Sequence, residues 1–226
     1  MKNKTFSFIN IFGLSIGLTC CMLISMYLYY ELSYDSHHKH ADRVYQLGTT
    51  FVKDGKEDRT ANTPAPMART MQMVFPEIEK STRLLKAFSD DKTLLQYQDK
   101  DGKLKSFNET KGFLADSTFF QILTYDFIEG NPETSLMNPN SLVLSEEIAK
   151  KMFGKESALD KVVRVSSSTN GDFDFRVTGV FAKSKTPSHI DARFFMSVNG
   201  GGIGSFINTR TDLASNNMFY TYFLLY

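Results

Sequence analysis

The sequence predicts an α+β fold, with one N-terminal transmembrane helix that carries an extracytoplasmic domain of hairpins and short helices. The first observation is an uncharged apolar stretch at residues 6–30, which nothing later in the 226-residue chain matches. The second is a series of short β-forming runs joined by Asp-Gly and Asn-Gly pairs, which is typical of β-hairpins. The third is that a few short amphipathic segments separate these hairpins, which favours α+β over a βαβ alternation.

As an α-helix, the apolar stretch is long enough to cross a membrane. At about 1.5 Å per residue it would reach roughly 37 Å, against a hydrocarbon core of about 30 Å. A cleaved signal peptide is the rival interpretation, but its apolar region would be only about 7–15 residues long and would end in a small-residue cleavage site. The Thr19-Cys20 pair after Leu18 is also a poor site for lipoprotein cleavage. A retained membrane helix is therefore favoured.

Charged residues beside the stretch predict its orientation. Lys2 and Lys4 precede it, and Glu31 and Asp35 follow it. Because basic residues tend to stay on the cytoplasmic side, we expect the N-terminus inside and the main domain outside. The predicted organisation is a cytoplasmic tail at residues 1–5, a membrane helix that continues outward at residues 6–33, and an extracytoplasmic domain at residues 34–226.

The composition limits the functions open to the outer domain. The chain has 26 Lys and Arg and 25 Asp and Glu, and only two lysines precede the apolar stretch, so the outer domain is nearly neutral. This balance argues against a nucleic-acid partner, since phosphate binding needs a basic surface. Cys20 and Cys21, which are the two cysteines of the chain, lie in the apolar stretch. The outer domain is therefore expected to be held by its hydrophobic core, without disulfides.

Two features near the membrane are candidate functional elements. Gly13 and Gly17 lie four residues apart, a pattern that permits close packing of membrane helices, although any membrane helix contains some glycines. The helix is also predicted to continue through residues 31–35 into the outer domain.

A histidine-rich segment, with His37, His38 and His40, follows the predicted helix exit. Three histidines in four residues suggest a metal site, but they are crowded together and have no cysteine partner. Solvated polar residues are the better interpretation, and we expect neither a metal nor a cofactor.

The strands of the outer domain are predicted from β-forming runs, and their turns from Asp54-Gly55, Asp101-Gly102 and Asn170-Gly171. The predicted strands lie at residues 44–52, 57–62, 82–88, 93–98, 104–107, 125–128, 141–144, 161–166, 173–181, 194–198 and 218–226. Residues 200–204 are rich in glycine and are predicted to form a flexible loop.

Three short helices are predicted between the strands, capped by Thr63, Asp116 and Ser145. In the third helix, acidic residues in the first turn and lysines in the last turn complement the helix dipole. The predicted buried faces consist of Met67, Met71, Val74 and Phe75 in the first helix, Phe119, Phe120 and Leu123 in the second, and Ile148, Ala149, Met152 and Phe153 in the third.

The sequence contains no convincing catalytic set. Ser145 lacks the G-x-S-x-G surroundings of a nucleophile elbow. Ser188, His189 and Asp191 are neighbours on one predicted loop, whereas a catalytic triad brings its members together from separate elements. The glycine run at residues 200–204 has no Walker lysine and opens no clear helix, so it is a weak phosphate-binding candidate. We therefore do not expect an enzyme.

Four groups of motifs occur in a fixed order along the chain. They are Asn10, Gly13 and Gly17; Glu31-Leu32-Ser33-Tyr34-Asp35 with His38 and Ala41-Asp42-Arg43-Val44-Tyr45; Leu144-Ser145-Glu146 with Ala149 and Phe153-Gly154; and Val177-Thr178-Gly179-Val180-Phe181 with Ser188-His189-Ile190. In this order, behind a single membrane helix, they resemble the MacB/FtsX-type permease subunits of ABC transporters. The resemblance covers nearly the whole chain.

The resemblance implies a permease subunit that has no catalysis of its own and transmits ATP-driven motion to the outer domain. Its implied partners are a separate cytoplasmic ABC ATPase, a second permease in a homodimer or heterodimer, a periplasmic adaptor or substrate protein, and membrane lipid, with no nucleic acid. The substrate for export or extraction would be a peptide, an antibiotic or a lipoprotein. The implied location is the cytoplasmic (inner) membrane. The implied site residues are Gly13 and Gly17 for membrane packing, and Glu31, Tyr34, Asp35, Asp42 and Arg43 as a helix-exit motif.

Two further expectations concern alternatives and completeness. A membrane-anchored sensor or ligand-binding domain is the alternative, although a sensor normally has a second membrane helix that leads to a cytoplasmic module. An anchored hydrolase would need the triad or metal set that is missing above. Family permeases continue into three more membrane helices after the outer domain, so a chain that stops at Tyr226 is expected to be a fragment.

Overall fold

The computed structural model describes residues 4–86, 93–168, 170–184 and 186–226. Two features of the sequence prediction lie outside these ranges: Lys2, which supports the predicted orientation, and the end of the strand predicted at residues 82–88. The chain forms two compact units, and the chain passes between them after His37, after Ser184 and after His189. Among the described residues, the helix unit consists of residues 4–37 and 186–189, and the sheet unit consists of the rest.

The described residues form fourteen β-strands and five α-helices, which is the mixed α+β composition that the sequence predicts. The helices are α1 (Lys4–Leu32), α2 (Met67–Val74), α3 (Phe119–Ile122), α4 (Glu146–Phe153) and α5 (Gly201–Asn208). The strands are β1 (Val44–Gln46), β2 (Thr49–Lys53), β3 (Lys56–Thr60), β4 (Asn62–Thr63), β5 (Ile78–Lys86), β6 (Thr93–Gln98), β7 (Leu104–Glu109), β8 (Gly112–Ala115), β9 (Phe127–Gly130), β10 (Ser141–Ser145), β11 (Val162–Ser167), β12 (Gly171–Phe181), β13 (Phe194–Ser197) and β14 (Phe219–Leu225).

In the helix unit, α1 is one continuous helix that is long and apolar enough to cross a membrane. All of its residues are exposed. Its polar side chains are partly satisfied within the helix, because the hydroxyl groups of Ser15 and Thr19 donate to the carbonyl oxygens of Ile11 and Ser15 at 2.7 and 2.8 Å. Such internal hydrogen bonds lower the cost of placing these hydroxyls in hydrocarbon.

The helix ends earlier than the sequence predicts. It stops at Leu32, and turns follow it, whereas the prediction carries it through Asp35. Asp35 has a φ of 56°, which lies in the left-handed region and cannot continue a right-handed helix. Aspartate tolerates this region better than most residues, so the chain can turn sharply here.

Twelve of the described strands form one mixed sheet in the sheet unit. Its order is β1-β14-β5-β8-β13-β10-β12-β11-β6-β7, with β4 beside β14 and β9 beside β12. Most neighbours are antiparallel, but β10 is parallel to β12 and β8 is parallel to β13. The strands β2 and β3 form a separate two-stranded sheet. The strand β10 therefore lies near the middle of the sheet, between β12 and β13.

Both faces of the central strands are buried. Along β10, Leu142 and Leu144 belong to one hydrophobic cluster and Val143 to the other, because successive side chains of a strand point to opposite faces. The strand β13 alternates in the same way. The helix α4 contributes to the first cluster and α3 to the second. Burial on both sides explains why these strands have uninterrupted apolar sequences.

Several predicted elements are confirmed. The β2–β3 hairpin turns at Asp54 and Gly55, whose φ values of 51° and 74° suit the tight turns of β-hairpins. The hairpins β6–β7 and β11–β12 form at their predicted turns. Ser145 caps α4, since its hydroxyl accepts from the backbone N–H of Ile148 at 3.4 Å. The four apolar residues predicted to be buried in α4 are buried.

The prediction for the first short helix is wrong in its cap and in its buried face. Thr63 lies in β4, before α2, and its hydroxyl lies 2.7 Å from the hydroxyl of Thr221. Val74 and Phe75 are 63% and 44% exposed, and Ala68 is the buried residue of α2. The two methionines of the predicted face are only partly buried. The apolar spacing predicts the helix correctly, but a small residue lets it lie close to the sheet.

Asp116 does not cap α3 as predicted. Its carboxylate accepts a bidentate pair of hydrogen bonds from the Arg83 guanidinium at 2.9 and 2.8 Å, and a third from the Arg83 backbone N–H at 2.7 Å. The same guanidinium donates to the Ala65 carbonyl at 2.8 Å and lies over the Phe219 ring. A bidentate pair between half-buried charges is stronger than a helix cap, which explains the choice of partner.

The glycine-rich loop predicted at residues 200–204 is instead the start of α5. The Asn140 side-chain oxygen accepts from the Gly201 N–H at 2.7 Å, and the Asn170 side-chain oxygen accepts from the Ile203 N–H at 3.4 Å. The N–H groups that an anion would need are therefore already bonded to asparagines, which removes the basis for a phosphate-binding interpretation.

We expect Asp116→Asn to destabilise the sheet unit more than a comparable change at the surface. The substitution leaves the Arg83 guanidinium, whose side chain is 15% exposed, without its charged partner. The free energy of unfolding should fall by about 2 kcal/mol, which is typical for loss of hydrogen bonds to a charged group. Urea denaturation of the full chain in detergent measures this change.

Asp174→Asn is the matched control for this substitution. The Arg164–Asp174 pair is 3.4 Å apart, and both of its side chains are more than half exposed. Its removal should change the free energy of unfolding by less than about 0.5 kcal/mol. Equal effects of the two substitutions would contradict the structural role given to Asp116.

Candidate functional site at the helix exit

Asp35 is the centre of a set of hydrogen bonds just beyond α1. Its carboxylate accepts from the Ser188 hydroxyl at 2.6 Å, and from the backbone N–H and the ring Nδ1 of His189 at 3.3 and 2.6 Å. The Asp35 backbone N–H donates to the Pro187 carbonyl at 3.0 Å. These residues form what we call the helix-exit clamp, and residues 186–189 are its return segment. Four hydrogen bonds thus tie the end of the membrane helix to one distant stretch of chain.

The electrostatics of the clamp favour an ionised carboxylate. Partial burial acts to raise the pKa of Asp35, but the hydrogen bonds from Ser188 and His189 and the positive charge of a protonated His189 outweigh it. The pKa of Asp35 is therefore lowered from its ordinary value. At neutral pH its carboxylate is an acceptor only, so the Nδ1 atom of His189 must carry the hydrogen of their shared bond.

A second contact reinforces the clamp one residue earlier in the return segment. The Thr186 hydroxyl lies 2.9 Å from the Nδ1 atom of His37, within hydrogen-bond distance. His37 follows Asp35 by two residues in the turn after α1. The return segment is thus held at two positions along that turn, which fixes its direction as well as its place.

The clamp contains a serine, a histidine and an aspartate, but they are not arranged as a hydrolase triad. In a triad the serine hydroxyl gives its proton to the imidazole. Here the single proton of the Ser188 hydroxyl is donated to Asp35. Asp191, the acid nearest in sequence, forms an ion pair with Lys111. The geometry suits a mechanical tie between chain segments better than nucleophilic catalysis.

The predicted helix-exit motif is divided between the two units. Glu31 and Tyr34 are exposed in the helix unit, and the Tyr34 hydroxyl lies 3.3 Å from that of Tyr30. Asp42 and Arg43 belong to the sheet unit. Within the helix unit, Asp35 is the motif residue that forms the clamp with the return segment.

Arg43 has a structural task in the sheet unit. Its Nε donates to the Leu225 carbonyl at 2.7 Å, and its Nη2 donates to Glu79 at 2.6 Å. These bonds hold the end of β14 beside β5. Asp42, its neighbour in the sequence, is exposed.

The histidine-rich segment does not form one cluster. His37 contacts Thr186, whereas the buried His38 accepts from the Thr124 backbone N–H through Nδ1 at 3.0 Å. His40 is partly buried in the following turn. Across the described ranges, no group of three or more His, Cys, Asp or Glu side chains is placed to hold a metal ion.

The membrane glycines have open surroundings. A Cβ atom added at Gly13 or Gly17 would meet no other described atom within 4 Å. Both glycines therefore lie on a part of α1 that makes no close contact within the described chain.

The sequence motifs include Asp35, Ser188 and His189, but they do not predict that these residues contact one another. Asp35 and the Ser188-His189 pair each belong to a motif noted above, yet they are 153 or more residues apart in the chain. The available signal was that polar residues follow the apolar helix and also make up the connection between two predicted strands. Pairing across that separation depends on the folded chain.

The chain path gives the clamp its importance. The return segment lies in the connection from β12 to β13, and these two strands flank β10 in the sheet. Along the chain, the return segment therefore lies between two strands that pair with β10.

This fold is similar to those of known proteins. A family model described as the MacB-like periplasmic core domain matches residues 7–222. A domain of a protein described as a permease, from Porphyromonas gingivalis, has a TM-score of 0.63 at 20% identity, over 84% of this chain and 75% of that chain. This likeness shows a shared fold.

Two other solved structures are more distant. The periplasmic region of MacB from Actinobacillus actinomycetemcomitans has a TM-score of 0.48 at 16% identity, over 73% of this chain and 65% of that chain. The extracellular domain of the noncanonic ABC-type transporter YknZ from Gram-positive bacteria has a TM-score of 0.46 at 13% identity, over 80% of this chain and 83% of that chain. A search of the curated proteins finds no significant match.

The family match includes nearly all of α1 as well as the sheet unit. The apolar helix and the periplasmic type of domain indicate a membrane-anchored protein with an extracytoplasmic domain. The chain belongs to the family of MacB-like periplasmic core domains, and its domain is of the MacB-like ABC transporter permease type.

Proposed function

We propose that this chain acts as a permease subunit of a MacB/FtsX-type ABC transporter. In this proposal a separate cytoplasmic ATPase drives motion of α1, and the extracytoplasmic domain uses that motion to export or extract a substrate such as a peptide, an antibiotic or a lipoprotein. Family membership supports the transporter context. The structural observation that carries the mechanical part is the helix-exit clamp.

The clamp supports transmission of force because it gives the end of α1 a second attachment to the chain. The helix α1 is stiff, but it ends at Leu32 and a turn follows. A single strand of chain would bend at such a turn. The ionised Asp35 carboxylate binds the return segment through charge-assisted hydrogen bonds, which are about twice as strong as neutral ones. The connection between β12 and β13 therefore moves together with the end of α1. It provides a second route by which force reaches the sheet unit.

The proposed orientation places the N-terminus in the cytoplasm and the sheet unit outside the cytoplasmic (inner) membrane. Lys2 and Lys4 before the apolar stretch support this orientation through the positive-inside tendency. Tyr27, Tyr29 and Tyr30 would lie in the aromatic belt at the outer surface of the membrane, where their exposed rings can contact lipid.

The proposed partners are a P-loop ATPase, a second permease subunit and a periplasmic adaptor or substrate protein. The open surroundings of Gly13 and Gly17 support packing of α1 against another membrane helix, since close approach needs small residues at the contact. The nearly neutral composition gives no support to a nucleic-acid partner.

The first test asks whether the chain works with an ATPase. We expect the tagged native protein that contains this chain, purified from its own membrane in mild detergent, to bring a P-loop ATPase with it. Addition of ATP, compared with ADP, should change hydrogen exchange in residues 33–37 and 186–189, because both sides of the clamp move with α1. The proposal is contradicted if no ATPase is recovered, or if hydrogen exchange in these residues is the same with ATP as with ADP.

The second test separates ATP hydrolysis from its effect outside the membrane. In the purified complex, Asp35→Asn should leave the ATPase rate within about twofold of wild type and reduce the ATP-dependent exchange change in the sheet unit at least about fivefold, the lower end of typical coupling between sites. The substitution removes the charge that strengthens the clamp but keeps the side-chain size.

Asp58→Asn is the control for this test, because Asp58 is exposed on β3 and lies outside the helix-exit motif. It should behave as wild type in both measurements. If Asp35→Asn left the exchange change intact, the clamp would not be the transmitting element.

The third test concerns the membrane glycines. Gly13→Leu and Gly17→Leu cause no clash within the chain, so any effect reports contact with another helix. Each should weaken recovery of the partner permease in chemical crosslinking several-fold, while Leu14→Ile, on a neighbouring position of α1, should not. Unchanged crosslinking with both leucine variants would exclude the glycines from the contact.

A further inference from the structure

The Glu109 carboxylate is fully buried between two cations in the sheet unit. Its side chain is 0% exposed, with Lys151 Nζ 2.6 Å from Oε1 and Arg193 Nη1 2.8 Å from Oε2. Burial of a single carboxylate is costly, and removal of one partner from such a group is strongly destabilising. An arrangement of this kind holds its members in one geometry.

The members of this cluster come from three different elements. Glu109 is the last residue of β7, and Lys151 lies on α4. Arg193 belongs to the short segment before β13. Arg193 also reaches the first turn of α4, where its Nη2 lies 2.7 Å from Oε1 of Glu147. One arginine therefore spans two points on the same helix, directly at Glu147 and through Glu109 at Lys151.

The backbone of Arg193 is fixed as well. Its N–H donates to the Lys111 carbonyl at 2.9 Å, and its carbonyl accepts from the N–H of Ser145, the cap of α4, at 2.8 Å. Asp191, in the same segment as Arg193, forms an ion pair with Lys111. Arg193 is thus bound to the start of α4 by backbone and side chain together.

This cluster follows directly on the return segment of the helix-exit clamp. Arg193 is four residues after His189, so the intervening chain can span at most about 14 Å. Ile190, the first residue of that interval, is buried and contributes to a core cluster. A shift of the return segment has little slack in which to dissipate before it reaches Arg193.

We propose that Arg193 is a positioning residue that carries movement of the return segment into α4, with buried Glu109 as its fixed anchor. This inference rests on the proposed function for its purpose, but the coupling itself can be measured without an ATPase. In this role Arg193 makes the segment after the clamp and the start of α4 move as one body. A purely stabilising cluster would hold α4 in place whatever the state of Asp35.

Hydrogen exchange of the full chain in lipid nanodiscs tests this coupling. The measured quantity is amide protection in residues 146–153 for wild type, Asp35→Asn, Arg193→Gln and the double variant. We expect Asp35→Asn to lower the protection of α4 at least about fivefold, as for typical coupled sites. In the Arg193→Gln background the same substitution should leave the protection of α4 unchanged, because the two sites are then no longer connected.

Arg176→Gln is the matched control, since Arg176 pairs at 3.4 Å with Asp160 and both side chains are more than half exposed. In that background Asp35→Asn should still lower the protection of α4. Two results would overturn the inference. One is that Asp35→Asn does not change the amide protection of α4, and the other is that it lowers this protection equally with and without Arg193.

A milder substitution keeps the inference testable if Arg193→Gln does not fold. Glu147→Gln removes only the exposed end of the contact and leaves the buried Glu109 paired. It should reduce the response of α4 to Asp35→Asn by about half, and an undiminished response would count against the inference. Failure of the ATPase tests above would reject the proposed function and leave this coupling result standing.

Discussion

The ionised carboxylate of Asp35 is the constraint on which the arrangement at the helix exit depends. A membrane helix that ends in a turn would meet the rest of the protein through one flexible strand of chain. Asp35 prevents this because it accepts three hydrogen bonds from Ser188 and His189 while its own N–H binds Pro187. Its left-handed backbone lies in the turns that follow α1 and is incompatible with a right-handed helix at this residue.

The central strands of the sheet unit are covered on both faces. The clamped segment joins β12 to β13, and both strands flank β10, whose two faces are buried. Strands covered on both sides are held by packing that tolerates little displacement. Beyond the clamp, Arg193 and the buried Glu109 fix the next residues against α4. Within the sheet unit, Arg193 is therefore held against α4 by ion pairs and by a backbone hydrogen bond.

Local sequence patterns succeeded where the deciding interaction is local. The hairpin turn at Asp54-Gly55 and the cap of α4 at Ser145 form as predicted, because backbone conformation and a hydrogen bond within three residues settle them. Thr63 and Asp116 had equally good local signals as helix caps. Each found a stronger distant partner, in Thr221 and Arg83. Polar side chains with a choice of partners are thus where sequence reasoning failed, since their best partner is known only after folding.

The sequence by itself determined the membrane helix, the α+β composition, most strands and the family resemblance, because these follow from apolar length, periodicity and motif order along the chain. Its motifs also include Asp35, Ser188 and His189 of the clamp. Only the tertiary structure decided that Asp35 meets Ser188 and His189, that the histidine-rich segment is dispersed, and that Arg193 shares Glu109 with Lys151. The physical reason is that these contacts join residues far apart in the chain, so their geometry is set by the packing of the elements between them.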